Sequence, residues 1–141
     1  MPKKIYIICS VRNITEKEKE DVLSYVHSLE KDGCIVRCPF RDTNQQDEIG
    51  LRIVKEHEGD IIWADEVHTW WNKSSQGSLW DVAQTRMAMR FMPEKLFKIV
   101  NLHQANIDDT KSYNNVVIAT HFGLDEKNTL NDLKNKLKDN K

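Results

Sequence analysis

Asp81 lies one turn into a stretch that reads as a helix. The turn ahead of it, Ser75-Gln76-Gly77-Ser78, consists of small and hydroxylated residues. Free backbone N–H groups and the helix dipole gather at such a start and attract anions. A carboxylate beside an anion cradle is equipped as a nucleophile or general base toward a phosphorylated small molecule. The same residues also fit a plainer pattern. Ser78-Leu79-Trp80-Asp81 matches S-x-x-D, a capping box worth about 1 kcal/mol that needs no ligand. Spacing alone leaves both readings open.

The elements that would position these residues alternate in type. Residues 4–10 form a near-continuous apolar run, as in a strand buried on both faces, and end in the polar loop Ser10-Val11-Arg12-Asn13. Thr15 and Glu18 make a capping box. Val22, Val26 and Leu29 follow at helical spacing, and Gly33 closes the helix. Cys34–Phe40 reads as the second strand, Arg41–Glu48 as a loop and Glu48–Ala64 as a helix weakened by Gly50 and Gly59. His57 is four residues from both Ile53 and Ile61, on an apolar face where a core histidine is the default.

Glu66–Trp71 is the third strand, carrying Glu66 and His68, which is unusual for a central strand. The helix behind Ser75 extends to about Arg90, with Leu79, Val82 and Ala83 toward the sheet and Met87 continuing the stripe. Trp63 and Trp80 are expected as core or pocket walls. Leu96–Leu102 is a fourth strand, and Asn115–Thr120 a short fifth strand or extended edge segment. A last amphipathic helix starts at Asn128 or Thr129. The expected fold is one α/β domain over residues 1–141. Its doubly wound, mostly parallel sheet of four to five strands carries helices on both faces, flavodoxin/Rossmann-like. Ligands of such sheets bind beyond the carboxyl ends of the strands, where Ser10, Arg12 and Ser75–Asp81 all fall.

Composition narrows the class of ligand. A net charge of −1 over 141 residues offers no basic stripe for a nucleic-acid polymer. No apolar run is long enough to span a bilayer and no signal peptide is evident, so a cytoplasmic protein without membrane contact is expected. Three cysteines without C-x-x-C spacing read as reduced, mostly buried thiols, and no metal site is expected.

Ile5-Tyr6 with Ser10 and Arg12, then Ala64-Asp65-Glu66-Val67, then Ser75, Gly77, Asp81 and Ala83 recur in the order of a known pattern. Over roughly residues 4–105 the chain resembles the nucleoside 2-deoxyribosyltransferase family, and within it the 2′-deoxynucleoside 5′-phosphate N-hydrolases. The resemblance implies that Asp81 is the nucleophilic carboxylate and Tyr6 the residue that orients it. It places the 5′-phosphate on Ser10, Arg12, Ser75 and Gly77, to which the helix-start argument adds Ser78. Members acting on nucleosides carry an acid where Ser75 stands, and a serine favours a phosphate because like charges repel. The resemblance further implies a homodimer whose neighbouring subunit completes the pocket, with Asn114 as the candidate residue, and no cofactor.

Three positions depart from the family pattern. Asp81 replaces a glutamate, which retracts the carboxylate by about 1.5 Å, and a misplacement of that size can cost on the order of 10²-fold in rate. His57 stands where an aspartate is common and could protonate a departing base, and Cys9 stands where glycine is usual. The expected function is cleavage of the N-glycosidic bond of a nucleoside 5′-monophosphate, or deoxyribosyl transfer from it. The alternative is a nucleotide-binding module on the same fold without turnover.

Overall fold

A computed structural model describes residues 1–141. Four strands, β1 (Lys4–Ile8), β2 (Ile35–Arg37), β3 (Glu66–Thr69) and β4 (Leu96–Ile99), form one all-parallel sheet in the order β2-β1-β3-β4. The helices are α1 (Glu16–Lys31), a short α2 (Pro39–Asp42), α3 (Leu51–Trp63), α4 (Gln76–Phe91), α5 (Tyr113–His121) and α6 (Leu130–Asn140). This is the expected flavodoxin/Rossmann-like arrangement, with four strands. No helix is long and apolar enough to cross a membrane.

The apolar run of β1 is explained by burial on both faces. Tyr6 and Ile8 join Val67, Phe97 and Ile99 beneath Ile61 of α3, Val82 of α4, Val117 and Ile118 of α5, and Leu133 and Leu137 of α6. Ile5 and Ile7 point the other way and pack with Val22 and Val26 of α1, Val36 and Trp70. The layers are therefore unequal: α1 and α2 cover one face, α3 to α6 the other. β1 and β3 are neighbours whose following helices leave to opposite faces, which opens a crevice at their carboxyl ends. Pairing between them persists to the last residue, Trp70 N–H donating to Ile8 O at 2.8 Å.

Local chemistry sets the ends of the elements. The box at Thr15 and Glu18 is formed, and the chain leaves α1 through Gly33 at φ +92°, a conformation glycine adopts without strain. The second strand stops at Arg37, not Phe40, because Pro39 is at the first turn of α2, where its missing N–H costs nothing. The α3 helix starts at Leu51, where Asp47 Oδ2 accepts from the N–H groups of Arg52 (2.8 Å) and Ile53 (3.1 Å). The third and fourth strands end at Thr69 and Ile99, earlier than expected.

The expected fifth strand, Asn115–Thr120, lies in helix α5. Ser112 Oγ accepts the N–H of Asn115 at 3.0 Å, and capping plus burial of Val117 and Ile118 outweigh the β-branched run. On α4 the inward residues are Ser78, Asp81, Val82 and Thr85. Ala83, Met87 and Trp80 face outward, correcting the expectation that they line the sheet or a pocket. Trp63 is half-buried, with the guanidinium of Arg37 3.9 Å above its ring.

Candidate active site

Three elements bring one carboxylate and two donors together. Tyr6 is fully buried at the middle of β1, and its hydroxyl donates to Asp81 Oδ2 at 3.1 Å. His57 arrives from α3 and places Nδ1 3.1 Å from the same Oδ2, its ring tilted over that of Tyr6 at 5.8 Å. Asp81 is 7% exposed, and its Oδ1 receives no hydrogen bond from the protein. One oxygen is thus anchored twice and the other makes no hydrogen bond within the protein.

Asp81 is not a cap. Helix α4 is capped by Ser75, whose Oγ accepts the N–H of Ser78 at 3.2 Å. Ser78 is therefore the third residue of the helix, and Asp81 lies beyond reach of the first-turn N–H groups. Thr85 Oγ1 donates to Asp81 O at 2.8 Å and holds this turn of the backbone.

Electrostatics separate the two donors. Burial, then the negative charge of Asp81, pushes the Tyr6 phenol well above its ordinary value of 10.0, so it stays a donor throughout the physiological range. Burial by itself would lower His57. The hydrogen bond to Asp81 and the charges of Asp81, Asp60 and Glu56 outweigh it, and the net shift is upward from 6.5. His57 Nε2 is buried without a hydrogen-bond partner. His57, whose apolar flanks read from sequence as those of a core histidine, is half-buried and paired with Asp81.

The anion-binding candidates gather at the same edge. The N–H groups of Gln76 and Gly77 have no intrahelical acceptor, and Ser78 Oγ is buried without a partner. Gly77 is not demanded by packing, since a Cβ there would meet nothing within 4 Å. Ser10 and Arg12 lie on the loop after β1, Ser10 half-buried and Arg12 exposed. That loop leaves the strand paired to β3, so it neighbours the Trp70–Ser75 loop. Neither Ser10 nor Arg12 hydrogen-bonds to Ser75 or Ser78.

Asn114 is engaged inside its own chain. Its Oδ1 accepts from Trp71 Nε1 at 2.8 Å, and its Nδ2 donates to Asn106 O at 2.8 Å. It lines a polar cavity of about 230 Å³ with Trp71, Asn72, Lys73, Asn101 and Gln104, beyond β3 and β4. Asn101 clamps the backbone of Trp71 from both sides, accepting its N–H at 2.7 Å and donating to its carbonyl at 3.0 Å. Sequence reasoning passed over Trp71 and Asn101. Their only signal was an asparagine just past the fourth strand and a tryptophan just past the third.

The unusual Glu66 and His68 of β3 belong to the opposite face. His68 Nε2 lies 2.9 Å from Glu66 Oε1, its Nδ1 lies 2.7 Å from Tyr25 OH on α1, and Lys3 pairs with Glu66 Oε2 at 2.9 Å. Polar residues are tolerated there because every one has a partner. No protein-family model matches the chain, and no curated protein matches it.

Proposed function

We propose that this protein cleaves the N-glycosidic bond of a nucleoside 5′-monophosphate, with Asp81 as nucleophile. The observation that carries the reading is the double anchoring of Asp81 Oδ2 by Tyr6 and His57, with Oδ1 unengaged. Oδ1 attacks C1′ of the sugar, the C1′–N bond breaks, and its electron pair leaves with the base, giving a glycosyl ester on Asp81. His57 protonates the departing base from Nε2, the ring atom without a protein partner. Water, or a second base in a transfer, then attacks C1′ and gives its proton to His57, which regenerates the carboxylate.

The 5′-phosphate belongs at the start of α4, on the N–H groups of Gln76 and Gly77 and the hydroxyls of Ser75 and Ser78. Ser10 and Arg12 close it from the loop after β1. Three unpaired cysteines suit a reducing compartment, and cytoplasm is the proposed location. A nucleotide-binding module without turnover is the second reading. It is favoured by the shortness and burial of Asp81, which leave its free oxygen little reach. Incubation with a panel of nucleoside monophosphates and chromatography of free base separates the two. Release of base that depends on Asp81 supports the enzyme. Saturable binding with no base released supports the module.

A further inference from the structure

Two of the three cysteines meet where the first two strands end. Cys9 directly follows β1 and Cys38 directly follows β2. The parallel register pairs Ile5 with Val36 and Tyr6 with Arg37. Carried one residue on, it puts Ile7 opposite Cys38, and Cys9 is the next residue of its chain on that face. Both thiols are buried in the layer beneath α1 and α2, among Ile7, Val22, Val26 and Trp70. The thiol of Cys9 donates to the sulfur of Cys38. Cys34 stands four residues back along the second strand, about 13 Å from Cys38 and out of reach of both.

A solitary buried cysteine packs as a small hydrophobe and is inert, whereas a second thiol and a cation beside it change its chemistry. Here the surroundings make the two sulfurs unlike. The Cys9 thiol holds Cys38 below the ordinary 9.0, and the charge and N–H of Arg41 add to this against burial and Asp42. Arg41 is fixed in place by Glu30, Asp42 and the carbonyl of Val36. Cys9 moves the opposite way, raised by its bond to Cys38, by burial and by the charge of Asp81. Cys38 is therefore the sulfur that ionises first and Cys9 the one that keeps its proton, as in an attacking and a resolving thiol.

We propose that Cys9 and Cys38 form a reversible redox pair, closed to a disulfide by hydrogen peroxide and reopened by small thiols. The Cys38 thiolate attacks one peroxide oxygen and the O–O bond breaks. A sulfenic acid forms on Cys38, and hydroxide leaves to be protonated by solvent. The Cys9 sulfur then attacks the Cys38 sulfur, the S–O bond breaks, and the proton of Cys9 leaves with the hydroxyl as water. Two thiols lose two electrons and one peroxide becomes two waters. Two equivalents of a thiol such as glutathione reverse the bond through a mixed disulfide. Peroxide is hardly larger than water, and α2 is a single turn followed by irregular chain as far as Gly50, so a local opening admits it. Bonding brings the sulfurs to about 2.05 Å, closer than any non-bonded contact, and draws the end of β1 toward α2. Ser10 is the next residue, so the loop carrying Ser10 and Arg12 follows the redox state.

The test reads bonds between cysteines and stands whether or not Asp81 catalyses. The reduced, intact chain is treated with a few equivalents of hydrogen peroxide, remaining thiols are capped with N-ethylmaleimide in denaturant, and tryptic peptides are weighed without reductant. Trypsin cuts after Arg12, Lys31, Arg37 and Arg41, so the three cysteines fall in three peptides. Most of the protein should carry the Cys9 and Cys38 peptides linked, two hydrogens lighter than their sum, with Cys34 capped. Dithiothreitol should abolish the link. Cys34 is more exposed than either partner, so exposure alone would oxidise it first. Cys34→Ser should leave the link unchanged, and Cys38→Ser should leave Cys9 to be capped. Should Cys38→Ser fail to fold, the parent and Cys34→Ser decide. Oxidation of Cys34 while Cys9 and Cys38 are both capped overturns the proposal. A link that includes Cys34 or joins two chains overturns it equally, as does a pair carried to sulfinic acid without linking.

Discussion

His57 Nδ1 lies 3.1 Å from Asp81 Oδ2, on the oxygen that also accepts from Tyr6. The carboxylate gains its orientation from two elements that meet only in the folded chain, α3 and β1. A histidine so placed holds its proton more tightly than a free one, which gives the site a testable dependence on pH.

The first prediction concerns that dependence. Asp81 and its acidic neighbours hold His57 above 6.5 against the opposing effect of burial, so the folded chain binds this proton more tightly than the unfolded one. The stability it contributes is fully present below pH 6.5 and is lost as pH rises through the folded value. If His57 is the acid of the reaction, base release should decline over the same rise. His57→Gln should flatten both curves above pH 6.5 and lower turnover at least tenfold at neutral pH. A pH–rate profile that is the same for parent and variant would remove His57 from the mechanism.

His68 should behave in the opposite sense. Burial lowers it from 6.5, Lys98 and Lys3 add to the effect, and the hydrogen bond and charge of Glu66 oppose it without prevailing. It is therefore a neutral imidazole that donates from Nε2 to Glu66 and accepts from Tyr25 OH at Nδ1. Its contribution is fully present above pH 6.5 and is lost as pH falls through the folded value. Melting temperature measured from pH 7.5 down to about 5 should fall less in His68→Gln than in the parent. His121, lowered by burial and Lys98 while accepting the N–H of Ile99 at 2.8 Å, supplies part of the slope that remains. An unchanged slope would mean that His68 takes up its proton in the folded state as readily as in the unfolded one.

Most of the fold could be read from the chain because burial and capping write themselves locally. The apolar run at Ile5–Ile8 and the boxes at Thr15 and Thr129 are visible as residue types at fixed spacings. Helix α5 was hidden because Val116-Val117-Ile118 has strand composition. Its helical state depends on Ser112 and on the sheet it packs against. At the candidate site, Asp81 stood out by its place one turn into a helix start, whereas Tyr6 was pointed to only by the family resemblance; the structure puts the two in contact. The role of Trp71 and Asn101 was not legible, since their contact joins residues 30 apart along the chain. The capping box at Ser78, one of the two readings the spacing left open, does not form for a local reason: Ser75 caps the same helix start.

Arg12 tests ligand class. It is exposed on the loop after β1, where it would pair with the 5′-phosphate proposed to sit at the start of α4. Arg12→Ala should weaken binding of a nucleoside 5′-monophosphate by about tenfold, the scale of one charge-assisted contact, and leave the free nucleoside nearly unaffected. Titration calorimetry reads both. Equal losses for the two ligands would place Arg12 near the sugar or base. No loss for either would take it out of the site.

The sharpest test falls on Asp81. Asp81→Asn keeps the shape and can still accept from Tyr6, yet a neutral amide cannot form the ester at C1′. Base release should drop by at least 10³-fold. The buried hydrogen bonds that weaken should cost about 1–3 kcal/mol, read as a melting shift of several degrees. Asp81→Glu asks a separate question, because glutamate adds reach. Tyr6 and His57 already meet Asp81 Oδ2 at hydrogen-bond distance, and the residue is buried in a packed layer. An added methylene must then displace one donor or push the carboxylate past both, and overpacking of that kind costs about 1–3 kcal/mol. Turnover should fall in Asp81→Glu, by less than in Asp81→Asn, since a nucleophile remains. A Glu variant faster than the parent would mean that the reach of Asp81, and not its anchoring, limits the rate. Base release surviving in the Asn variant at the parent's rate would take the nucleophile away from Asp81 altogether.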